Sequence, residues 1–243
     1  MKKLFALALF FTLVFTANCY AATLDPEIQN ILSKIKDNQA LVKDFQADIS
    51  TVIKSSKKSM EQKGHIWVKG ENNSKIESYE PVKQTTITNK DKILMLDPTT
   101  GQKMVQDLKQ LRAKSGDQSL GKSPTNQAAA MEYFNLKKKA INSSFFGGKE
   151  IVLEGTPKAK GKFFGTVNFY IDAQRYLPTK IEIIDHDGNK LSTAKIDYQN
   201  IKNAWVISKS KSEINVPSGK MEIEMKFSNI KVNEGISDKE FKI

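Results

Sequence analysis

The chain has 243 residues, of which 27% are charged and 39% hydrophobic, with one cysteine and a formal net charge of +11. This length can bury one sizeable core without disulfides, and the lone cysteine, Cys19, excludes a disulfide framework and a multi-cysteine metal site. Only Arg112 and Arg175 are arginines. Because base and phosphate contacts depend strongly on arginine, nucleic acid is not expected as a partner.

The N-terminus has the pattern of a cleaved signal peptide. Met1-Lys2-Lys3 precedes the apolar run LFALALFFTLVFTA, and small residues before Ala22 fit a cleavage site. We therefore expect residues 1–21 to be removed and residues 22–243 to form one exported domain. A lipid-anchored form through Cys19 is less favoured, because Asn18 stands where a small residue is expected.

The first predicted elements of the mature chain are a helix and a strand. Asp25-Pro26 fits an N-cap followed by the first helical position. Four isoleucine and leucine residues follow at helical spacing, a stripe more typical of packing onto a sheet than of ligand binding: Ile28, Ile31, Leu32 and Ile35. Apolar and polar residues then alternate over 45–53, which predicts a half-buried strand.

Residues 64–108 predict consecutive short strands joined by tight turns. Segments 84–89 and 92–97 are β-rich and too short for helices, while Asn72-Asn73 and the DPTTG segment (97–101) have turn chemistry. Residues 112–126 are polar and rich in Gly and Ser, which predicts a loop. A second helix is predicted from Ser123-Pro124 through Ala140, so that 112–145 form a loop and a lid helix, with an ordinary connector helix as the alternative.

From Glu150 onward the pattern is β again. Val167, Phe169 and Ile171 alternate with polar residues. Hairpins are predicted around Asp187-Gly188 and around residues 217–219. In the last strand four apolar residues face one way and charged residues the other, and the apolar set is Met221, Ile223, Met225 and Phe227. The whole predicts a mainly β (α+β) fold of about ten to twelve strands: one antiparallel, strongly curved sheet with helices against a single face.

Catalytic patterns are not found in the sequence. His65 and His186 are the only histidines, and His186 lies between two aspartates at a hairpin tip, where neighbouring side chains do not converge on a metal. No G-x-S-x-G, H-E-x-x-H or phosphate-binding glycine loop occurs. We therefore expect no enzyme, no catalytic residue, no metal and no cofactor.

The order of segments resembles the LolA/LolB-like family of outer-membrane lipoprotein carriers. The similar segments are KDFQADIS, GHIWVKG, SYEP, LDPTTGQKM and the closing FSNIKVNEGISDKEF, and the resemblance spans roughly residues 25–243. It implies an unclosed β-barrel with helices over its open, concave side and an apolar cavity for acyl chains. It also implies an inner-membrane transporter and an outer-membrane acceptor as partners. One departure is Gly70, which stands where the best-known carriers have a lid-latching arginine, leaving Lys69 or Lys75 as substitutes.

The predicted function is therefore a monomeric periplasmic carrier that binds an acylated lipoprotein or a similar lipid, with transient membrane-surface contact. Predicted cavity-wall residues are Phe45, Ile49, Trp67, Ile93, Met95, Phe169, Ile183, Ile223, Met225 and Phe227. Predicted lid residues are Ala129, Tyr133, Phe134 and Leu136. Each of these side chains also suits an ordinary core. The alternatives are an envelope sensor that uses the fold to bind a protein, and a hydrolase with an unrecognised site.

Overall fold

The computed structural model describes residues 25–56, 58–115, 121, 127–143, 148–158, 165–216 and 219–243. The predicted signal peptide, most of the predicted 112–126 loop and the Ser123-Pro124 cap lie outside these residues. No helix within the described ranges is long and apolar enough to cross a membrane.

Within these ranges thirteen antiparallel strands form one unclosed sheet, and four helical segments accompany it, which confirms the mainly β prediction with more strands than expected. The strands are β1 (Asp44–Lys54), β2 (Ser59–Lys69), β3 (Asn73–Glu80), β4 (Gln84–Thr88), β5 (Lys92–Leu96), β6 (Lys103–Asp107), β7 (Phe134–Ser143), β8 (Lys149–Pro157), β9 (Thr166–Asp172), β10 (Pro178–Ile184), β11 (Lys190–Ile201), β12 (Ala204–Val216) and β13 (Gly219–Val232). The helical segments are α1 (Pro26–Ala40), α2 (Leu108–Ser115), α3 (Gln127–Met131) and a 3₁₀ turn (Asp238–Phe241).

The sheet is a meander whose first and last strands meet in its middle. The spatial order is β6-β5-β4-β3-β2-β1-β13-β12-β11-β10-β9-β8-β7. Consecutive strands are neighbours, and the pairing of β1 with β13 joins the two halves. Strands β6 and β7 are therefore the edges, and in the described ranges neither pairs with a second strand. This arrangement is consistent with a curved, open barrel.

The strand register divides the side chains between two faces. Directly opposed residues lie on the same face of a sheet. One row of opposed residues crosses eight strands from β8 to β2: Leu153, Phe169, Ile181, Ala194, Ser212, Ile223, Ile53 and Met60. We call the face that carries this row the inner face, because helix α1 packs on it, and we call the other the outer face.

Helix α1 is held at both its start and its apolar side. Asp25 caps it by accepting a hydrogen bond from the Glu27 backbone N–H at 2.8 Å, as predicted. Its four predicted apolar residues are all buried, in one core with inner-face residues of β7, β8 and β9. Each fully buried Ile or Leu side chain contributes about 1.5–3 kcal/mol, so this contact is a main source of stability.

The predicted second helix is wrong beyond Met131. Helix α3 has only five residues, and Phe134 and Leu136 lie in strand β7, opposite Pro157 and Gly155 of β8. The apolar residues of 128–141 fit a helical period and a strand period equally well. Pairing with β8 at the sheet edge selects the strand. The predicted 112–126 loop is also wrong at its start, because helix α2 extends to Ser115.

Candidate functional site

Half-buried apolar side chains follow the inner face of β13 along most of its length. Met221, Ile223, Met225 and Phe227 alternate with charged residues, as predicted, and each is half-buried. Phe227 lies opposite Ile49, and Ile223 opposite Ile53, both also half-buried. These residues form an apolar ridge that is neither packed solid into a core nor fully exposed.

Small side chains lie beside this ridge on β11 and β12. They are Ser192, Ala194, Ser210 and Ser212. On their far side come Ile181 and Ile183 of β10, which pack partly against the core beneath α1. Ile196 and Ile214 lie on the same face of these two strands, opposite Ser210 and Ser192, so the small side chains form a patch bordered on all sides by larger apolar ones. We call this patch, with its four small residues as floor, the inner-face groove.

A cavity of about 610 Å³ continues the inner face at the C-terminal end of α1. Its apolar lining includes Phe45, Val68, Leu177, Val206 and Phe227, and Ala129 of α3 lines it as well. Polar and charged residues also line it, among them Lys36 and Asp37 of α1, Lys43 of the following loop and Asp44 of β1. Phe227 belongs both to the ridge and to the cavity, so the two form one continuous surface.

Tyr198 connects helix α3 to the sheet at this cavity. Its hydroxyl oxygen lies 2.7 Å from the Pro178 carbonyl oxygen and 2.8 Å from Gln127 Oε1, at the first residue of α3. Burial raises the pKa of Tyr198, so the hydroxyl stays protonated and able to donate. The Ala128 backbone N–H donates to Gln39 Oε1 at 3.4 Å. Helix α3 is therefore tied to both the sheet and α1 beside the cavity.

The register places nine of the ten predicted wall residues on the inner face, and Trp67 on the outer face. Trp67 lies opposite Gln46 and Lys75, whereas its neighbours Ile66 and Val68 face inward. The predicted position of Trp67 among the wall residues is therefore wrong. The nine do not share one surface environment: Phe45 and Phe169 are buried in separate packed clusters, and only Phe45 and Phe227 line the cavity.

The chain's C-terminal segment (residues 234–241) explains why Trp67 faces outward. Ile236 and Phe241 form an outer-face cluster with Ile87, against which Trp67 and Leu94 pack. The aromatic ring of Trp67 is thus shielded by the chain's own tail, without help from the inner face.

The two predicted latch lysines bind this C-terminal segment. Lys69 Nζ donates to the Ile236 carbonyl oxygen at 2.9 Å and to Asp238 Oδ1 at 2.6 Å. Lys75 Nζ donates to Glu240 Oε2 at 2.9 Å and also pairs with Glu77. Burial alone would lower the pKa of Lys75, but its hydrogen bonds to the two glutamates outweigh burial and raise it. Gly70 lies in the β2–β3 turn with φ +60°, a conformation that suits glycine.

The predicted lid residues divide between three places. Ala129 lies in α3 and lines the cavity. Tyr133 follows α3 and packs partly buried against the core beneath α1. Phe134 and Leu136 belong to β7 and are buried in that core, where the Phe134 ring meets Phe169 edge-on at 5.4 Å.

The sequence pattern did not indicate the small residues of the groove floor or two inner-face methionines, Met60 and Met104. A signal for the floor exists in the segment SKSKSE (208–213), where serine alternates with charge. Because successive side chains of a strand point to opposite faces, this alternation places the serines on one face. The neighbouring strands carry large apolar side chains on that same face.

The described polar clusters show structural roles. Within the described ranges no group of three or more His, Cys, Asp and Glu side chains could hold a metal ion. Asp185, beside His186, accepts hydrogen bonds from the Asp187 and Asn189 backbone N–H groups and so shapes the β10–β11 turn. On the outer face, hydrogen bonds from Asn229 and with the His65 ring hold the pKa of Asp48 below its ordinary value.

Comparisons with known proteins inform the fold through solved structures alone. A family model described as an uncharacterized protein matches residues 123–243. No curated protein matches the sequence. A solved DUF1329 family protein from Desulfovibrio piger is 13% identical with a TM-score of 0.67, covering 90% of this chain and 98% of that one.

Two further solved structures carry names from lipoprotein sorting. A LolA superfamily protein from Nitrosomonas europaea is 19% identical with a TM-score of 0.62, covering 88% of this chain and 97% of that one. An outer membrane lipoprotein-sorting protein domain from Vibrio parahaemolyticus is 17% identical with a TM-score of 0.64 and the same coverages, 88% and 97%. These likenesses establish the fold, which is LolA-like, as the sequence segments indicated.

Proposed function

We propose that this LolA-like protein is a non-enzymatic periplasmic carrier that binds acyl chains of lipoproteins, or of a similar lipid, in the inner-face groove and the adjoining cavity. It takes up the lipid at the inner membrane and releases it at the outer membrane. The signal-peptide pattern supports export, and the neighbours' LolA-like fold supports this class of ligand. The observation that carries the proposal is the continuous apolar surface formed by the β13 ridge and the cavity, which meet at Phe227.

The energetics of lipid transfer fit such a surface. Each methylene group removed from water contributes about 0.8 kcal/mol, so an acyl chain needs an apolar path through the periplasm. A half-buried ridge already excludes part of the water before ligand arrives. The floor of short side chains leaves room for a chain to lie along the strand direction. The carrier need only shield the chain, because release requires an acceptor that binds it better.

Helix α3 is the element proposed to move when the ligand enters. It has five residues, it borders the cavity through Ala129, and its described polar ties run through Gln127 and Ala128. The lid role predicted for the longer helix thus falls on this short one. The protein part of a lipoprotein ligand stays outside the cavity. The proposed partners of this monomeric carrier are an inner-membrane transporter and an outer-membrane acceptor.

Direct binding of palmitate tests the proposal. Delipidated protein titrated with palmitate below its micellar concentration, followed by calorimetry, is expected to show saturable binding of one or a few chains per molecule. Lipid extraction of protein purified from the periplasm without detergent, analysed by mass spectrometry, is expected to recover acylated species. An unchanged heat signal at saturating palmitate, with no co-purified lipid, would contradict the proposal.

One observation favours a second function, that of an envelope protein-interaction module. Edge strand β6 carries Met104 and Val105, each 48% exposed, on opposite faces. An edge strand with apolar residues can accept an extended peptide as an additional strand. A protein partner captured through β6 by a chain that binds no palmitate would favour this function over lipid transport.

A further inference from the structure

The methionines of this chain are concentrated on one face of the sheet. Of seven methionines, five lie on the inner face: Met60, Met95, Met104, Met221 and Met225. Met131 is buried in the core beneath α1, and Met1 belongs to the predicted signal peptide. The five are half-buried, apart from Met104 at 48% exposure, so none of them is used to fill the core.

Three of the five lie together on or near the β13 ridge. Met60 lies opposite Ile53, which in turn lies opposite Ile223, the residue midway between Met221 and Met225.

Met95 and Met104 are directly opposed across their strands and lie in another part of the inner face. Their row of opposed residues runs through Thr86 and Ile76 to Ile66, which is six residues along β2 from Met60.

Methionine gives an apolar surface that can change its shape. Its side chain is unbranched, has three rotatable bonds and fills irregular gaps, so it recurs on surfaces that bind partners of varied shape. Leucine has nearly the same volume but is branched and has well-defined rotamers. A site lined by methionine can therefore follow a straight or a bent hydrocarbon, whereas a leucine-lined site fits one shape better than another.

We propose that Met60, Met221 and Met225 make the site permissive: it accepts straight and cis-bent acyl chains with similar affinity, so chain shape does not select the cargo. The cargo class is then an acyl-bearing molecule of any common chain geometry. Met221 and Met225 belong to the β13 ridge beside the groove, and Met60 lies two strands away on the same face, so one ligand contacts all three. This inference rests on the proposed acyl-chain binding.

The test compares palmitate with palmitoleate, which have the same length and differ by one cis double bond. The variant carries Met60→Leu, Met221→Leu and Met225→Leu together. Met104→Leu, the same change on edge strand β6 and away from the ridge, is the matched control. We expect the wild-type protein and the control to bind both ligands within about threefold, and the three-site variant to prefer one by at least about fivefold, since shape misfits in rigid apolar sites cost affinity.

The outcomes separate the two claims. If the wild-type protein binds neither fatty acid, the proposed function fails and the inference fails with it. If it binds both but the three-site variant keeps the wild-type ratio, or if the wild-type protein already discriminates strongly, only the inference is overturned. Should the three-site variant melt well below the control, the double variant Met221→Leu and Met225→Leu replaces it, with the same ratio as readout and at least about a twofold change expected.

Discussion

Replacing Ser210 with tryptophan is expected to weaken palmitate binding by more than about tenfold while leaving the fold intact. Ser210 lies on the groove floor, half-buried between Met225 of β13 and Ile196 of β11. An indole ring there occupies the space in which an acyl chain would lie. Loss of contact for only two methylene groups already costs about 1.6 kcal/mol, or more than a factor of ten in affinity. Calorimetric titration with palmitate measures the effect.

The matched control for Ser210→Trp is Lys211→Trp. Lys211 is the next residue of β12 and faces outward, where it pairs with Glu222 at 3.5 Å. Its replacement adds the same ring to the same strand but leaves the groove unobstructed, so palmitate affinity is expected to remain within about twofold, since a surface ion pair of this kind contributes little. Equal loss of binding in both variants, or in neither, would show that acyl chains do not occupy the groove.

Replacing Leu153 with alanine is expected to lower the free energy of unfolding by about 2–5 kcal/mol. Leu153 is fully buried at the centre of β8, opposite Phe169 and within the core that holds α1 on the sheet. Truncation removes its apolar contacts and leaves a cavity that neighbouring strands cannot fill. For a protein of this size the loss lowers the melting temperature by roughly 5–15 °C. Urea unfolding followed by circular dichroism gives the free energy directly.

Leu41→Ala is the control for Leu153→Ala, because it makes the same leucine-to-alanine truncation at an exposed position. Leu41 follows helix α1 and is 50% exposed. The same truncation there removes little buried surface, so a loss below about 1 kcal/mol is expected. If Leu153→Ala were no more destabilising than Leu41→Ala, the core beneath α1 would not be a main source of stability.

The sequence predicted the elements whose local residue pattern fits only one kind of secondary structure. Helix α1 combines a capping aspartate, a proline at the first position and an apolar stripe at helical spacing, and all three signals agree. Strand β13 alternates over its length, and the turn at Asp185 to Asn189 has a glycine at φ +87° where a left-handed residue is needed. These features depend on neighbours within a few residues, so they can be read from the chain directly.

Long-range pairing decided the features that the sequence did not predict. Residues 134–143 form a strand because β8 offers a partner, a contact invisible in a local pattern that also fits a helix. Trp67 faces outward because the C-terminal segment, far along the chain, covers it. In β2 the large apolar residues Ile66, Trp67 and Val68 are consecutive, so alternation cannot assign a face.

The candidate site, too, could be predicted from the local pattern only in part. Its ridge on β13 was predicted from alternation, but its floor on β11 and β12 consists of serine and alanine, which carry no signal of apolar binding by themselves. Their meaning comes from lying between the β13 ridge and the β10 isoleucines, Ile181 and Ile183. Only the register of four neighbouring strands brings these residues together.

Photo-crosslinking with a diazirine-bearing palmitate tests the central claim most directly, because it reports where a bound acyl chain lies. After irradiation and digestion, the modified residues are assigned by tandem mass spectrometry. We predict labels on the inner-face residues of β12 and β13, chiefly Ser210, Ile223, Met225 and Phe227, and reduced labelling when unlabelled palmitate competes. Labels confined to outward-facing residues such as Lys211, Glu222 and Glu224, or labelling that excess palmitate does not reduce, would contradict the account.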